Sequence, residues 1–131
     1  MLARRYRVVM TAITDDLPAR LLHEENAAWA AVLAGRGGEY FHREMTHDAL
    51  MIVPGVVLTR DQVGAYFTGQ PTWENYGIRD PAVIRLGEHA GVLVYRAVTR
   101  RANDVLELNV STTYVFADGG WRVAARQQTP A

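Results

Sequence analysis

Between residues 91 and 128 three extended runs follow one another with breaks of only a few residues, and this limits the fold more than anything else in the chain. Residues 92–101 read VLVYRAVTRR, 105–116 read VLELNVSTTYVF and 121–128 read WRVAARQQ. The breaks, Ala102-Asn103-Asp104 and Ala117-Asp118-Gly119-Gly120, are too short for a parallel crossover, which takes about a dozen residues or more. Asn-Asp and Asp-Gly-Gly supply the positive φ values that tight hairpins need. The spacing predicts an antiparallel meander. Leu106, Leu108, Val110, Thr112 and Tyr114 alternate with Glu107, Asn109, Ser111 and Thr113, so one face is apolar and must be covered.

The preceding residues supply the cover. Asp16 and Pro18 suit the cap and first turn of a helix. Leu21, Leu22, Glu25, Ala28, Trp29, Val32 and Leu33 then fall on one helical stripe, and Gly35 and Gly37-Gly38 are expected to stop it. A short second helix is expected at 39–45, with Tyr40 and Phe41 inward and Thr46-His47-Asp48 breaking it. A buried strand at 49–53 ends at Pro54-Gly55. Thr59-Arg60-Asp61-Gln62 fits a capping box; the helix it starts carries Val63, Tyr66 and Phe67 and ends near Gly69, with Pro71 forbidding continuation. Two more strand-like runs, 73–79 and 83–86, flank Asp80-Pro81. The pattern is a segregated α+β fold, with residues 1–14 as an N-terminal extension and 15–131 as one domain. Tyr6-Arg7-Val8 could form an edge strand, but such ends more often fray.

Absences narrow the chemistry. The chain has 0 Cys, all 14 basic residues are Arg, and Ser111 is its one serine. Thiolate and Schiff-base catalysis, a phosphate-loop lysine and a serine elbow are thereby excluded. Acid–base work by Asp, Glu, His or Tyr remains, as does plain binding. The formal net charge of 0 gives no argument for nucleic acid or an anionic membrane. No apolar run is long enough to span a bilayer, and no export signal is evident, so a cytoplasmic location is expected. His42 and His47 have the wrong spacing for one helical face and lack a third ligand, so neither a metal nor a cofactor is expected.

Six segments in order resemble the nuclear-transport-factor-2-like superfamily, with its ketosteroid-isomerase and SnoaL-like cyclase branches: LLHEENAAW (21–29), HDALMIVPG (47–55), LTRDQV (58–63), LVYR (93–96), STTYV (111–115) and DGGWRV with QQTP (118–130). The resemblance implies a cone: a strongly curved antiparallel sheet wrapped around a long N-terminal helix, with a largely apolar pocket at the mouth and a homodimer through the outer sheet face. The family's catalytic groups do not carry over. The resemblance places the isomerase base just before Pro54, where Val53 stands. The positions nearest its oxyanion hole are Ala28 or Trp29, and Thr112. Where the cyclase branch has a late-strand acid, this chain has Gln127 and Gln128.

Two side chains are candidates for catalysis. Glu25 is a carboxylate on an apolar stripe, which must find a partner or change its pKa. It is either the partner of a meander arginine, Arg126 or Arg100, or a tuned acid or base. His47 stands beside Asp48, but neighbours on a strand point to opposite faces, and Asp48 fits a turn cap. Trp29, Tyr40, Tyr66, Trp73, Tyr95, Tyr114 and Gln128 are the candidate ligand-binding residues. They belong to an aromatic set, with Tyr76 and Trp121, of which about half should face a cavity and the rest fill core. Two functions fit: a pocket for a small, largely apolar molecule with room for isomerase- or cyclase-type acid–base activity, or a non-catalytic dimeric binding or assembly module.

Overall fold

A computed structural model describes residues 16–131; the Tyr6-Arg7-Val8 expectation lies outside them. Helix α1 (Leu17–Leu33) buries Leu17, Leu21, Glu25, Ala28 and Trp29, the helical spacing read from the sequence. Pro18 sits in its first turn, while the Asp16 side chain makes no capping bond. At the other end Gly35 turns the chain with φ +78°. Its N–H bonds to the Val32 carbonyl at 3.1 Å and that of Arg36 to Ala31 at 2.8 Å, which satisfies the last carbonyls of the helix.

Gly37 and Gly38 do not stop α1; they open α2 (Gly37–Glu44), which buries Tyr40 and Phe41. Their smallness is steric. A Cβ on Gly38 would stand 2.9 Å from the Gly64 Cα, so α2 and α3 (Val63–Thr68) touch backbone to backbone. A 3₁₀ turn, Arg60–Gln62, leads into α3 through the expected Thr59–Gln62 capping box, in which the Thr59 N–H donates to Gln62 Oε1 at 2.9 Å.

Six strands form one sheet in the order β2-β1-β6-β5-β4-β3: β1 (Met45–Val53), β2 (Val56–Thr59), β3 (Asn75–Gly87), β4 (Ala90–Arg101), β5 (Asp104–Ala117) and β6 (Gly120–Pro130). Strands β3 to β6 are the expected antiparallel meander. Three details differ from the sequence expectation. Thr46-His47-Asp48 does not interrupt the chain; it is the irregular part of β1, where the register shifts between Met45 and Leu50. The two runs around Asp80-Pro81 are one strand, bulged between Arg79 and Ala82 with Asp80 at φ +52°. Strand β1 pairs parallel to β6, across a connection long enough to permit it.

The sheet is curved, and its bulges concentrate bending and twist. Its inner face carries Leu93, Tyr95 and Ala97 on β4 and Leu108, Val110, Thr112 and Tyr114 on β5, all buried. A Cβ on Gly91 would stand 3.1 Å from Leu21 and 3.2 Å from Leu17, so the first half of α1 lies flat on β4. Beyond Trp29 the helix no longer fills the hollow.

The β4–β5 turn places its positive φ on Ala102, at +50°, rather than on Asn103 or Asp104. A non-glycine residue there costs about 1–2 kcal/mol. Ala102→Gly should therefore raise stability by about 0.5–1 kcal/mol, and Gly38→Ala should lower it by about 1–3 kcal/mol through overpacking. Both changes should appear as shifts in the urea midpoint at unchanged slope.

Candidate functional site

The hollow past Trp29 is a cavity of about 650 Å³, within the size range of small-molecule sites. Trp29, Val32 and Phe41 line it from the first two helices. Tyr66, Phe67 and the segment from Gln70 to Trp73 line a second side, and Val105, Leu106 and Leu108 a third. Phe41 and Phe67 stack at 5.5 Å between centroids. At one edge Arg101 lies over the Trp73 ring at 4.4 Å and 3.5 Å from Asp104. Arg126 and Gln128, from β6, also line the cavity.

Arg126 is 3% exposed and Glu25 is 0% exposed. Arg126 Nη1 contacts both carboxylate oxygens of Glu25 at 2.7 Å. The Thr112 hydroxyl donates to the same oxygens at 2.9 and 3.0 Å and accepts from Arg126 Nη1 at 3.0 Å. The Tyr114 hydroxyl donates to Glu25 Oε1 at 3.2 Å. The guanidinium packs over Phe41 at 5.0 Å and Trp29 at 5.7 Å, and its Nε donates to Gln128 Oε1 at 3.4 Å. A buried charge is tolerated when paired and fully hydrogen-bonded, and Glu25 meets both conditions. Of the two arginines expected for it, the partner is Arg126.

Burial alone would weaken the Arg126 cation. The Glu25 carboxylate outweighs that and holds its pKa above the ordinary arginine value, so the cation is permanent. Burial, then the Glu25 charge, raises the pKa of Tyr95 and of Tyr114. Both phenols therefore stay neutral and act as hydrogen-bonding groups.

Of the expected site residues, the structure brings Trp29, Tyr66, Trp73 and Gln128 together around the cavity. Tyr40, Tyr95 and Tyr114 do not line it, which corrects the expectation for these three. Tyr95 and Tyr114 sit where helix and sheet are in contact and Tyr40 sits between α1 and α2, and the hydroxyls of all three are committed. Tyr40 donates to the Glu24 carbonyl at 3.2 Å, Tyr95 accepts from Trp29 Nε1 at 2.7 Å, and Tyr114 bonds Glu25. Glu25 lies behind Arg126 rather than on the cavity wall. His47 is exposed in the irregular part of β1, away from the lining residues, so it does not meet Glu25. Asp48 accepts from the Thr46 hydroxyl at 3.1 Å, a local turn contact. Arg126 as a wall residue, Arg101 and the Phe41–Phe67 stack were missed by sequence reasoning. The alternation of Arg126 with Gln128, opposite a carboxylate-bearing helix stripe, was a usable signal for the first.

Two measurements test this network. Glu25→Gln should cost about 3–5 kcal/mol by stranding the arginine, and Glu25→Gln/Arg126→Met should recover most of that loss; urea titrations of both variants decide. The raised tyrosine pKa values mean that the folded chain keeps protons the unfolded chain releases above about pH 10. Their contribution to stability is therefore intact below about pH 10 and is lost as pH rises further. Thermal midpoints should fall between pH 9 and pH 11, read as scans across that range.

No protein-family model and no curated protein matches the sequence. Solved structures do resemble the fold. A candidate ketosteroid isomerase from Parabacteroides distasonis gives a TM-score of 0.75 at 16% identity, over 88% of each chain. An NTF2-like protein of unknown function in nutrient uptake from Rhodospirillum rubrum gives 0.71 at 22% identity, over 85% of this chain and 98% of that one. The CamKII hub homology domain of Chlamydomonas reinhardtii gives 0.72 at 16% identity, over 86% of this chain and 96% of that one. These likenesses, each spanning 85–88% of the residues, show that the chain has the nuclear-transport-factor-2-like fold.

Proposed function

We propose that this protein binds a small, largely apolar molecule in the cavity between α1 and the sheet, and that it does so as a homodimer joined through the outer sheet face. The observation that carries the binding role is the cavity itself: about 650 Å³, walled by Trp29, Phe41, Tyr66, Phe67 and Trp73, with Arg126 and Gln128 as polar groups on one side and Gln70, Thr72, Arg101 and Asp104 towards the rim. Apolar walls with few fixed polar groups are the usual make-up of a small-molecule site. Binding fits this geometry better than isomerase- or cyclase-type catalysis. Proton transfer needs an acid or base within reach of the ligand, and both oxygens of Glu25 are held by Arg126 and Thr112. One structural neighbour is named for ketosteroid isomerisation, which supports a cavity of this kind without supplying its chemistry.

The homodimer rests on a separate observation. Two adjacent rows cross all six strands on the outer face. One runs Thr59, Leu50, Ala125, Thr113, Val92, Ile84; the other runs Val57, Ile52, Gln127, Ser111, Val94, Ala82. None of the twelve is charged. Leu50, Ile52, Val57, Ile84 and Val94 are exposed by 38–54%. An apolar, charge-free patch of this extent marks an interaction surface, and a face pairing with its own copy is isologous and closes at two. Another neighbour is named as a hub homology domain, and two more are named as candidate kinase association domains.

A thermal-shift series with polycyclic ketones and aromatic esters should raise the midpoint in a concentration-dependent way, since a ligand at one hundred times its Kd adds about 2.7 kcal/mol. Leu106→Trp, which fills the cavity from its rim, should abolish that rise while leaving the fold intact by circular dichroism. Failure of every aromatic compound to shift the midpoint would remove the binding role. For the interface, Val94→Arg should weaken self-association about tenfold or more, because it buries like charges across the symmetry axis. Sedimentation at several concentrations reads this, and a strict monomer before mutation would remove the homodimer.

A further inference from the structure

The polar wall of the cavity is more selective than its aromatic walls. Arg126 spends Nη1 on Glu25 and Thr112 and Nε on Gln128. Among the described residues the one further acceptor that faces Arg126 is the Tyr95 hydroxyl, which takes at most one of the two Nη2 hydrogens. Arg126 lines the cavity, so the Nη2 hydrogen that Tyr95 leaves free is the one available to a bound molecule. Gln128 behaves alike. Its carbonyl oxygen is oriented by Arg126 Nε, which turns its NH₂ away, and no described residue accepts from that group.

This wall therefore presents donors and no free acceptor. It also carries no net charge, since the arginine cation is neutralised at contact distance by Glu25. A neutral oxygen with lone pairs meets both conditions. A carboxylate meets the first but would enter a site whose cation already holds one carboxylate. It would lose its hydration for an attraction that Glu25 has largely cancelled. An alcohol or amine would bring a donor that this wall does not receive, because the acceptors Gln70, Thr72 and Asp104 stand on other sides of the cavity.

We propose that Arg126 Nη2 and Gln128 Nε2 form a subsite for a neutral carbonyl oxygen, as in a ketone, ester or amide, and that Glu25 sets this preference by cancelling the charge of Arg126. The proposal rests on the cavity being a binding site and names the class of molecule it takes. Glu25 is here a positioning residue, which touches the arginine and not the ligand.

Three probes sharing one ring system test it by calorimetry near neutral pH: methyl naphthyl ketone, naphthoate and ethylnaphthalene. The ketone should bind about tenfold or more tighter than either of the others, the usual range for a hydrogen bond to a charged donor. In Glu25→Gln the uncancelled arginine should reverse the order and favour naphthoate. If that variant does not fold, Glu25→Gln/Arg126→Met should bind the ketone and ethylnaphthalene equally. Naphthoate binding as tightly as the ketone to the unaltered protein, or ethylnaphthalene doing so, would overturn the carbonyl subsite and leave the binding cavity standing. Absence of binding by all three would overturn the cavity reading and the subsite with it.

Discussion

A carboxylate and a guanidinium, both out of water, sit at the centre of this structure. Glu25 is presented by the long helix, Arg126 by the last strand, and Thr112 and Tyr114 by the strand between. Such a pair adds little net stability compared with well-packed apolar groups, but breaking it leaves a stranded charge. Its effect is therefore on specificity. Helix and sheet can slide or rotate against one another only by tearing apart a cluster of hydrogen bonds. The pair fixes the helix in register with the strands and at the same time holds a cation at the edge of the hollow.

The rest of the architecture follows from where α1 is in contact and where it is not. Near its start, Leu17 and Leu21 rest against Gly91 with no room for a side chain. Near its end, Gly35 turns the chain back, and the close approach of α2 to α3 through Gly38 and Gly64 walls off the space instead of filling it. Small residues close one end of the cone, and aromatic rings line the other. The tyrosines divide accordingly. Those over the tight contact donate or accept inside the core, and Tyr66, beyond it, faces the cavity.

The fold was legible because its signals are local and redundant: short breaks between long β-branched runs, a helical stripe running to Leu33, and Pro54-Gly55 ending a buried strand. The parallel pairing of β1 with β6 was not legible, because it joins residues far apart in the chain and leaves no local trace. The turn at Ala102 defeated composition, since tertiary pairing placed the positive φ on the least suited residue of three. For the site, periodicity showed that Glu25 faces inward and that a meander arginine should answer it. It could not separate aromatics that fill from aromatics that line, because both obey the same alternation. The difference lies in how far the helix reaches, which is set by packing.

The separation of Glu25 from Arg126, 101 residues, has a consequence for how the molecule comes to be. Strand β6 follows every other described element, and β1 has no neighbour but the four-residue β2 until β6 arrives. Throughout synthesis, therefore, the helix carries an unanswered carboxylate, and the meander has an open edge. Docking of one strand closes both deficits together. Long-range closure of this kind is slow compared with local hairpin and helix formation, so an incomplete chain is left with an open groove and an adhesive border in place of a closed cavity.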